Sequence, residues 1–362
     1  MRRREQNKYI FAPEGRRRRE GGRGLRSTVL VFLPLLILVL LVSNFIVSNR
    51  VRLEPVNLTV LNLPEDLEQY SILHLSDLHG AELGERQKAV AAALGTTRYS
   101  CVVMTGDMLG PEGDVGPLLD LIALMPAETP KYYVPGDTDG DYLDSFAHGS
   151  LSVYSAWAEK LIAAGVTLLD RPVSETRGKG TIWFVPEELY TLDLDRMTET
   201  YQTQLSEMNR RATALTAGDA AYRRVLEYEV ERMAAIREAR ERFQPTDIQI
   251  VLTHTPLTGE YVRDMITWGG KEDIFALRYA ALILAGHYNG GQWRLPLAGA
   301  VYVPELGWFP PDEEIRGMRA LEGIPQYISP GLGSDPHYRN MPGRIFNPPT
   351  VSLITLSRKA FK

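Results

Sequence analysis

Three of the six histidines stand just after short apolar runs. Asp77-Leu78-His79 follows Tyr70–Leu75, His254 follows Ile248–Leu252, and His287 follows Leu282–Leu284. Two further runs end in acids. Cys101–Met104 leads to Thr105-Gly106-Asp107, and Tyr132–Val134 leads to Pro135-Gly136-Asp137. Carboxylates and neutral imidazoles are metal donors, and a mixture of the two suits Mn, Fe or Zn. Asp77 and His79, two residues apart on extended backbone, can face one cation. Asp107 has two oxygens and can bridge two cations. A pair of divalent ions a few Å apart can generate a nucleophile and neutralise a phosphoryl group. The single cysteine, Cys101, excludes an intramolecular disulfide and a Cys-based zinc site.

The apolar runs are short and rich in β-branched residues, as strands buried on both faces require. Helical stretches at Gly84–Leu94, Val115–Met125 and Leu151–Ala164 alternate with them, which predicts an α/β fold. Side chains just past strand C-termini share one rim in such folds, and sites form there. Val51–Leu63 alternates and reads as an early strand closed by Pro64. Residues 187–245 break the rhythm. Tyr201, Leu205, Met208, Ala212 and Leu215 form one helical stripe, and Tyr222, Leu226, Val230, Met233 and Ile236 form another. Thr216–Asp219 between them supplies a stop, a turn and an N-cap. The segment predicts an inserted helical hairpin. It either packs on the core as an ordinary excursion or protrudes to guard the site or meet a protein partner.

The net charge of −5 divides unevenly. Residues 1–28 hold ten Arg or Lys and three acids, a balance of +7, and the remaining 30 bases and 42 acids give −12. Ser27–Ser48 separates the two parts as 22 uncharged residues. As a helix that segment spans about 33 Å, enough to cross a bilayer core of about 30 Å. A cleaved signal peptide would have a shorter apolar region followed by a small-residue cleavage site, and neither is present. The organisation expected is a basic cytoplasmic tail over 1–26, a transmembrane anchor over 27–48 and an extracytoplasmic domain over 51–362. The cationic flank favours the cytoplasmic side, so the chain is expected in the cell membrane as a single-pass protein. The acidic domain argues against a nucleic-acid partner.

The ordered motifs resemble those of the calcineurin-like metallophosphoesterases, whose pattern is D-x-H, G-D, G-N-H-D/E, a lone H and G-H-x-H. This chain has Asp77-Leu78-His79, Gly106-Asp107, Gly136-Asp137-Thr138-Asp139, His254 and Gly286-His287-Tyr288-Asn289. It is similar in particular to a membrane-anchored bacterial subgroup through Gly290–Pro296, Tyr327–Gly333 and Arg344…Pro348-Pro349. The resemblance implies a four-layer α/β-β/α sandwich, two divalent metal ions (Mn, Fe or Zn) and a phosphoester substrate. It implies that Asp77, His79 and Asn289 serve the first metal, that Asp107 bridges, and that Asp137, His254 and His287 serve the second. Thr138 and Asp139 fall on the catalytic pair.

Three positions depart from the pattern. Asp137 stands for the asparagine, Thr138 for the histidine that assists the leaving group, and Asn289 for the last histidine. An amide is a poorer ligand than imidazole for Mn or Zn, and a hydroxyl does not replace imidazole as a proton donor near neutral pH. The sequence therefore carries two readings. One is a membrane-anchored phosphoesterase acting on the outer face, on a lipid-linked or envelope phosphoester. The other is a weakened or inactive member that works as a binding or regulatory protein. Blander roles fit the remaining candidates: packing for His74 and Cys101, surface loops for His148 and His337, core or cleft wall for Trp293, and an ion pair or a phosphate contact for Arg294.

Overall fold

The structure is a computed structural model that describes residues 21–144, 146, 152–210, 216–268, 274–335 and 343–359, with backbone alone for 21–29. The basic run before residue 21, Ala212, Leu215, His148 and His337 lie outside the described residues. The chain divides into two compact units, Met1–Ile46 and Val47–Lys362. Helix α1 (Gly21–Asn49) carries Pro34 and a stretch, Leu30–Asn49, long and apolar enough to cross a membrane. Its apolar side chains are exposed, as in a helix that has no protein core to enter.

The second unit begins with β1 (Arg52–Thr59), β2 (Ser71–Leu75), α2 (Lys88–Leu94), β3 (Cys101–Thr105), α3 (Gly116–Ile122), β4 (Lys131–Val134), α4 (Ala156–Ala163) and β5 (Thr167–Leu168). It continues through β6 (Val173–Arg177), β7 (Gly180–Pro186), α5 (Leu194–Arg210), α6 (Ala217–Arg242), β8 (Ile248–Leu252), α7 (Gly259–Trp268) and β9 (Ala280–Ala285). Two small ribbons follow, β10 (Arg294–Leu295) with β11 (Gly299–Ala300) and β12 (Tyr302–Val303) with β13 (Gly307–Trp308). The chain then forms α8 (Asp312–Ile315), β14 (Gly317–Leu321), β15 (Ile324–Ile328) and β16 (Thr350–Ser357).

Two six-stranded sheets result, in the orders β1-β16-β2-β3-β4-β5 and β14-β15-β9-β8-β7-β6. Alternation along each strand sorts the side chains between two cores. Ile72, Cys101 and Val103 of the first sheet meet Ile250, Leu282 and Leu284 of the second in the inter-sheet core. Leu73, Leu75, Val102 and Met104 point the other way, onto Val90, Leu118, Leu121 and Leu161 of α2, α3 and α4. Trp183 and Val185 pack outward on Met233 and Ile236 of α6, and Val251 and Ile283 on Val262 of α7. Helices, sheet, sheet and helices therefore make the four-layer sandwich that the resemblance implied.

Three local readings shift. The early strand ends at Thr59, because Asn62 enters a turn with φ of 59°. The helix expected from Leu151 starts at Ala156, with Ser155 as its extended N-cap. The helical hairpin over 187–245 is present and antiparallel, with Tyr222 bonded to Gln204 and Arg237 to Asp195. It connects β7 to β8, which run parallel and adjacent. It is thus the crossover that any parallel pair requires, lengthened to two helices. The Thr216 hydroxyl accepts the Asp219 amide, and Asp219 accepts the Thr216 amide, a capping box worth about 1 kcal/mol.

Candidate metal centre

Five parallel strands end at one rim: β2 before Asp77 and His79, β3 before Asp107, β4 before Asp137, β8 before His254, and β9 before His287 and Asn289. Three strands come from one sheet and two from the other. Two groups of ligand-type atoms gather there, each within 4.8 Å: Asp77, His79 and Asp107, and Asp137, His254 and His287. Asp107 stands between them, its Oδ2 3.8 Å from His79 Nε2 and 3.3 Å from His254 Nε2. Asp137 Oδ2 is 3.7 Å from His254 Nε2 and 3.2 Å from His287 Nδ1. Asn289 completes the first group, with Nδ2 3.3 Å from His79 Nε2. Asp77, His79, Asp107, His254 and Asn289 are buried, while Asp137 is exposed at the mouth.

The backbone is bent to achieve this. Asp77, His79, Asp107, His287 and Asn289 all take positive φ, between 49° and 78°. Such a conformation costs a non-glycine residue about 1–3 kcal/mol and persists only where the surroundings enforce it. Gly106 is needed for a second reason. A Cβ there would sit 2.6 Å from both the Gly136 backbone and His254 Nδ1, so the β3 and β4 loops could not close on the histidine.

Hydrogen bonds set the protonation pattern. His254 Nδ1 donates to the Thr105 carbonyl at 2.9 Å, which turns Nε2 inward. That nitrogen then faces Asp107 Oδ2, Asp137 Oδ2 and, at 3.2 Å, His287 Nδ1. A centre so rich in acceptors is repulsive until a cation enters. Without a metal, the cation is a proton. Burial pushes His254 down, but the Asp107 hydrogen bond and the charges of Asp77 and Asp107 outweigh it and hold the imidazole at about 9. Burial likewise raises Asp107, but His254 overrides it and keeps that carboxyl well below the usual range. The fully buried Asp77 is raised by desolvation, which the nearby His254 and His79 only partly oppose. The donor set fits divalent metal: O and N atoms, convergent and short of positive charge, with His79 Nδ1 and Asn289 Oδ1 buried and unpartnered.

Over residues 70–289 the sequence matches the family model for calcineurin-like phosphoesterases. The chain belongs to that family. No curated protein sequence matches it. Among solved structures, it is similar to the phosphopantetheinyl hydrolase of Mycobacterium tuberculosis, at 16% identity over 80% of this chain and 96% of that one, with a TM-score of 0.37.

In this calcineurin-like phosphoesterase several sequence candidates turn out to be supports. Asp139 is buried and ties two of the site's loops together. Its oxygens accept the amides of Asp107 and Gly136 at 2.7 Å and of Leu109 at 2.9 Å, which pins the β3 loop to the β4 loop. Arg344 is buried and, among the described residues, donates to carbonyls, those of Asn289, Pro330, Gly333 and Asn347. Asn347 donates to the Asn289 carbonyl at 2.8 Å. The two residues together hold the Asn289 loop. His74 is packed at 0% exposure, bonded to Thr105 Oγ1 at 2.9 Å and pushed down to about 3 by burial, hence neutral. Cys101 is a core residue. Arg294 turns to Asp312 at 2.5 Å and to the Gly290 carbonyl at 3.0 Å, the ion-pair role rather than a phosphate contact.

A cavity of about 380 Å³ opens on the centre, walled by Asp107, Asp137, Thr138, His287 and Asn289 together with Tyr288, Trp293, Tyr302 and Glu305. Thr138 donates its backbone amide to Asp107 Oδ1 at 2.8 Å, and its hydroxyl is buried without a partner. Trp293 is cleft wall, fixed by a 2.9 Å bond from Nε1 to the Gly343 carbonyl. Sequence reasoning missed Glu305. Its Oε1 lies 3.5 Å from His287 Nε2, the nitrogen opposite the one that faces Asp137. Nothing in Val301–Pro311 marks the residue, because it sits in an irregular ribbon without periodicity.

Proposed function

We propose that this calcineurin-like phosphoesterase is a metal-dependent hydrolase, anchored by its N-terminal helix and cleaving a phosphoester on the outer face of the membrane. The observation that carries the reading is the placement of Asp107 Oδ2 between two convergent groups of acceptors. Asp77, His79, Asp107 and Asn289 would hold one divalent ion, and Asp107, Asp137, His254 and His287 the other; Mn, Fe and Zn suit those donors. When bound, such ions neutralise a phosphoryl group and acidify water.

The protein's own residues divide the remaining work. The Thr105 carbonyl fixes the His254 tautomer, and Glu305 faces the outer nitrogen of His287. Such outer carboxylates orient an imidazole and raise its basicity. Thr138 occupies the wall where a proton donor would assist the departing alcohol, and it offers only a hydroxyl. Losing a general acid lowers rates by about 10²–10⁴. A weakened, binding member is the second reading, and Thr138 with Asn289 is the observation that favours it.

Only Arg50 and Val51 lie between α1 and β1. So short a tether supports a lipid-linked or envelope phosphoester as substrate. The basic flank supports a cytoplasmic N-terminus.

The deciding experiment measures bound metal and Mn-dependent hydrolysis of bis(p-nitrophenyl) phosphate by the full chain in detergent. Metal with turnover, both lost in Asp107→Ala, supports the hydrolase. Bound metal without turnover, with activity gained in the Thr138→His/Asn289→His double variant, supports the weakened member. No metal and no turnover in either protein would sink both.

A further inference from the structure

We propose that the cavity beside the metal centre selects a phosphoester whose alcohol carries an ammonium group. The phosphate half of this inference rests on the phosphoesterase reading; the ammonium half rests on the cavity wall. Three aromatic residues, Tyr288, Trp293 and Tyr302, line the cavity together with Glu305. Aromatic faces attract cations through their quadrupole, most strongly where water is excluded, and Trp and Tyr are the rings of choice for quaternary ammonium. A carboxylate on the same wall adds charge complementarity.

Among the described residues, no Lys or Arg lines the cavity. Arg294, the nearest candidate in sequence, is committed to Asp312 and Gly290. A nucleotide, a polyphosphate or a second phosphate group needs such donors for recognition. Glu305 on the same wall opposes a second anionic group. The volume of about 380 Å³ lies in the range of small-molecule sites and suits a compact headgroup better than an extended one.

The ribbon β12–β13 positions both contacts. Tyr302 lies on β12 with its ring centroid 5.1 Å from that of Trp308 on β13. Glu305 stands in the connection, preceded by Pro304, whose ring restricts the backbone there. One element thus supplies an aromatic side chain and an anion to the lining of the same cavity, with Glu305 next to His287.

The test compares phosphocholine with 3,3-dimethylbutyl phosphate, which has the same shape with carbon in place of the charged nitrogen. Binding is measured by calorimetry on the full, Mn-loaded chain in a detergent without choline. Phosphocholine should bind at least about ten-fold tighter, and the ratio should fall to within about two-fold in Glu305→Gln and in Tyr302→Leu. Equal affinities in the native protein, or a ratio unchanged in both variants, would overturn the proposal. Hydrolysis of bis(p-nitrophenyl) phosphate by the same preparation reports on the phosphoesterase reading alone. A phosphocholine preference without turnover keeps the subsite and removes the hydrolase, and turnover without preference does the reverse.

Discussion

Asp107 and His254 share a charge that the metal-free site needs. His254 is held at about 9, above its ordinary 6.5, after Asp107 outweighs the opposing effect of burial. Asp107 is depressed below its ordinary 3.8 by the same partner, against burial. The signs give a window. The raised histidine stabilises the fold fully below about 6.5 and loses that contribution as pH rises through about 9. The depressed carboxyl contributes above about 3.8 and loses its share as pH falls through its lowered value. Melting temperatures of metal-free protein should therefore fall between pH 6.5 and 9.5. Metal binding runs the other way, because a proton on His254 competes with the ion. Mn affinity, measured by calorimetry, should rise with pH and level off above about 9; a flat profile would show that His254 is not a ligand. At the outer nitrogen of His287, Glu305→Ala should weaken Mn binding by about 10–100-fold, while Glu305→Gln, which keeps an acceptor oxygen, loses less.

The loops and helices around the centre act as clamps. Asp139 satisfies three backbone amides from two loops, so Asp139→Ala leaves those donors without their acceptor. Each buried unsatisfied donor costs about 1–3 kcal/mol, so the loss in denaturant unfolding should be of that order or more. A residue that only transferred protons would cost activity without stability, and that outcome would support the catalytic role for Asp139. The α5–α6 crossover divides by face. Ile236 and Met233 are sealed against Trp183, and Ile236→Ala should cost about 2–5 kcal/mol. Leu205 on α5 is only half-buried, and its truncation should cost less than Ile236 in the same assay. Nearer the rim, Arg232 of α6 donates to the Asp170 carbonyl at 2.8 Å, to Glu188 at 2.9 Å and to Glu229 at 3.2 Å. Tyr228 donates to Asp170. The hairpin, for which packing on the core and protrusion were both open, is thereby tied to the residues that follow β5 and β7.

Across the whole molecule, the apolar helix and the acidic domain make opposite demands on solvent. Leu30–Asn49 exposes a continuous apolar surface that water would penalise at roughly 25 cal/mol per Å². The full chain should sediment with membranes and resist carbonate extraction. Protease added to intact cells should reach the domain if it lies outside. Release by carbonate, or protection of the domain from external protease, would remove the anchored, outward-facing arrangement.

Sequence alone determined which residues cluster by type, since strand ends rich in Asp and His are legible from apolar runs a few residues long. It also determined the α/β alternation and the apolar segment, because burial on both faces and membrane length each leave a mark in local composition. The N-cap between the two helices was legible for the same reason, although the structure starts the helix at Ala217, directly after Thr216. Only the tertiary structure decided that Asp139 and Arg344 are clamps, that Arg294 turns away, that the hairpin is a crossover, and that Glu305 meets His287. Those facts depend on contacts between residues distant along the chain, such as Asp139 with Leu109 or Glu305 with His287. They depend also on backbone angles, as in the left-handed turns at Asp77 and Asp107. No local pattern encodes either, because both are imposed by two sheets closing on each other.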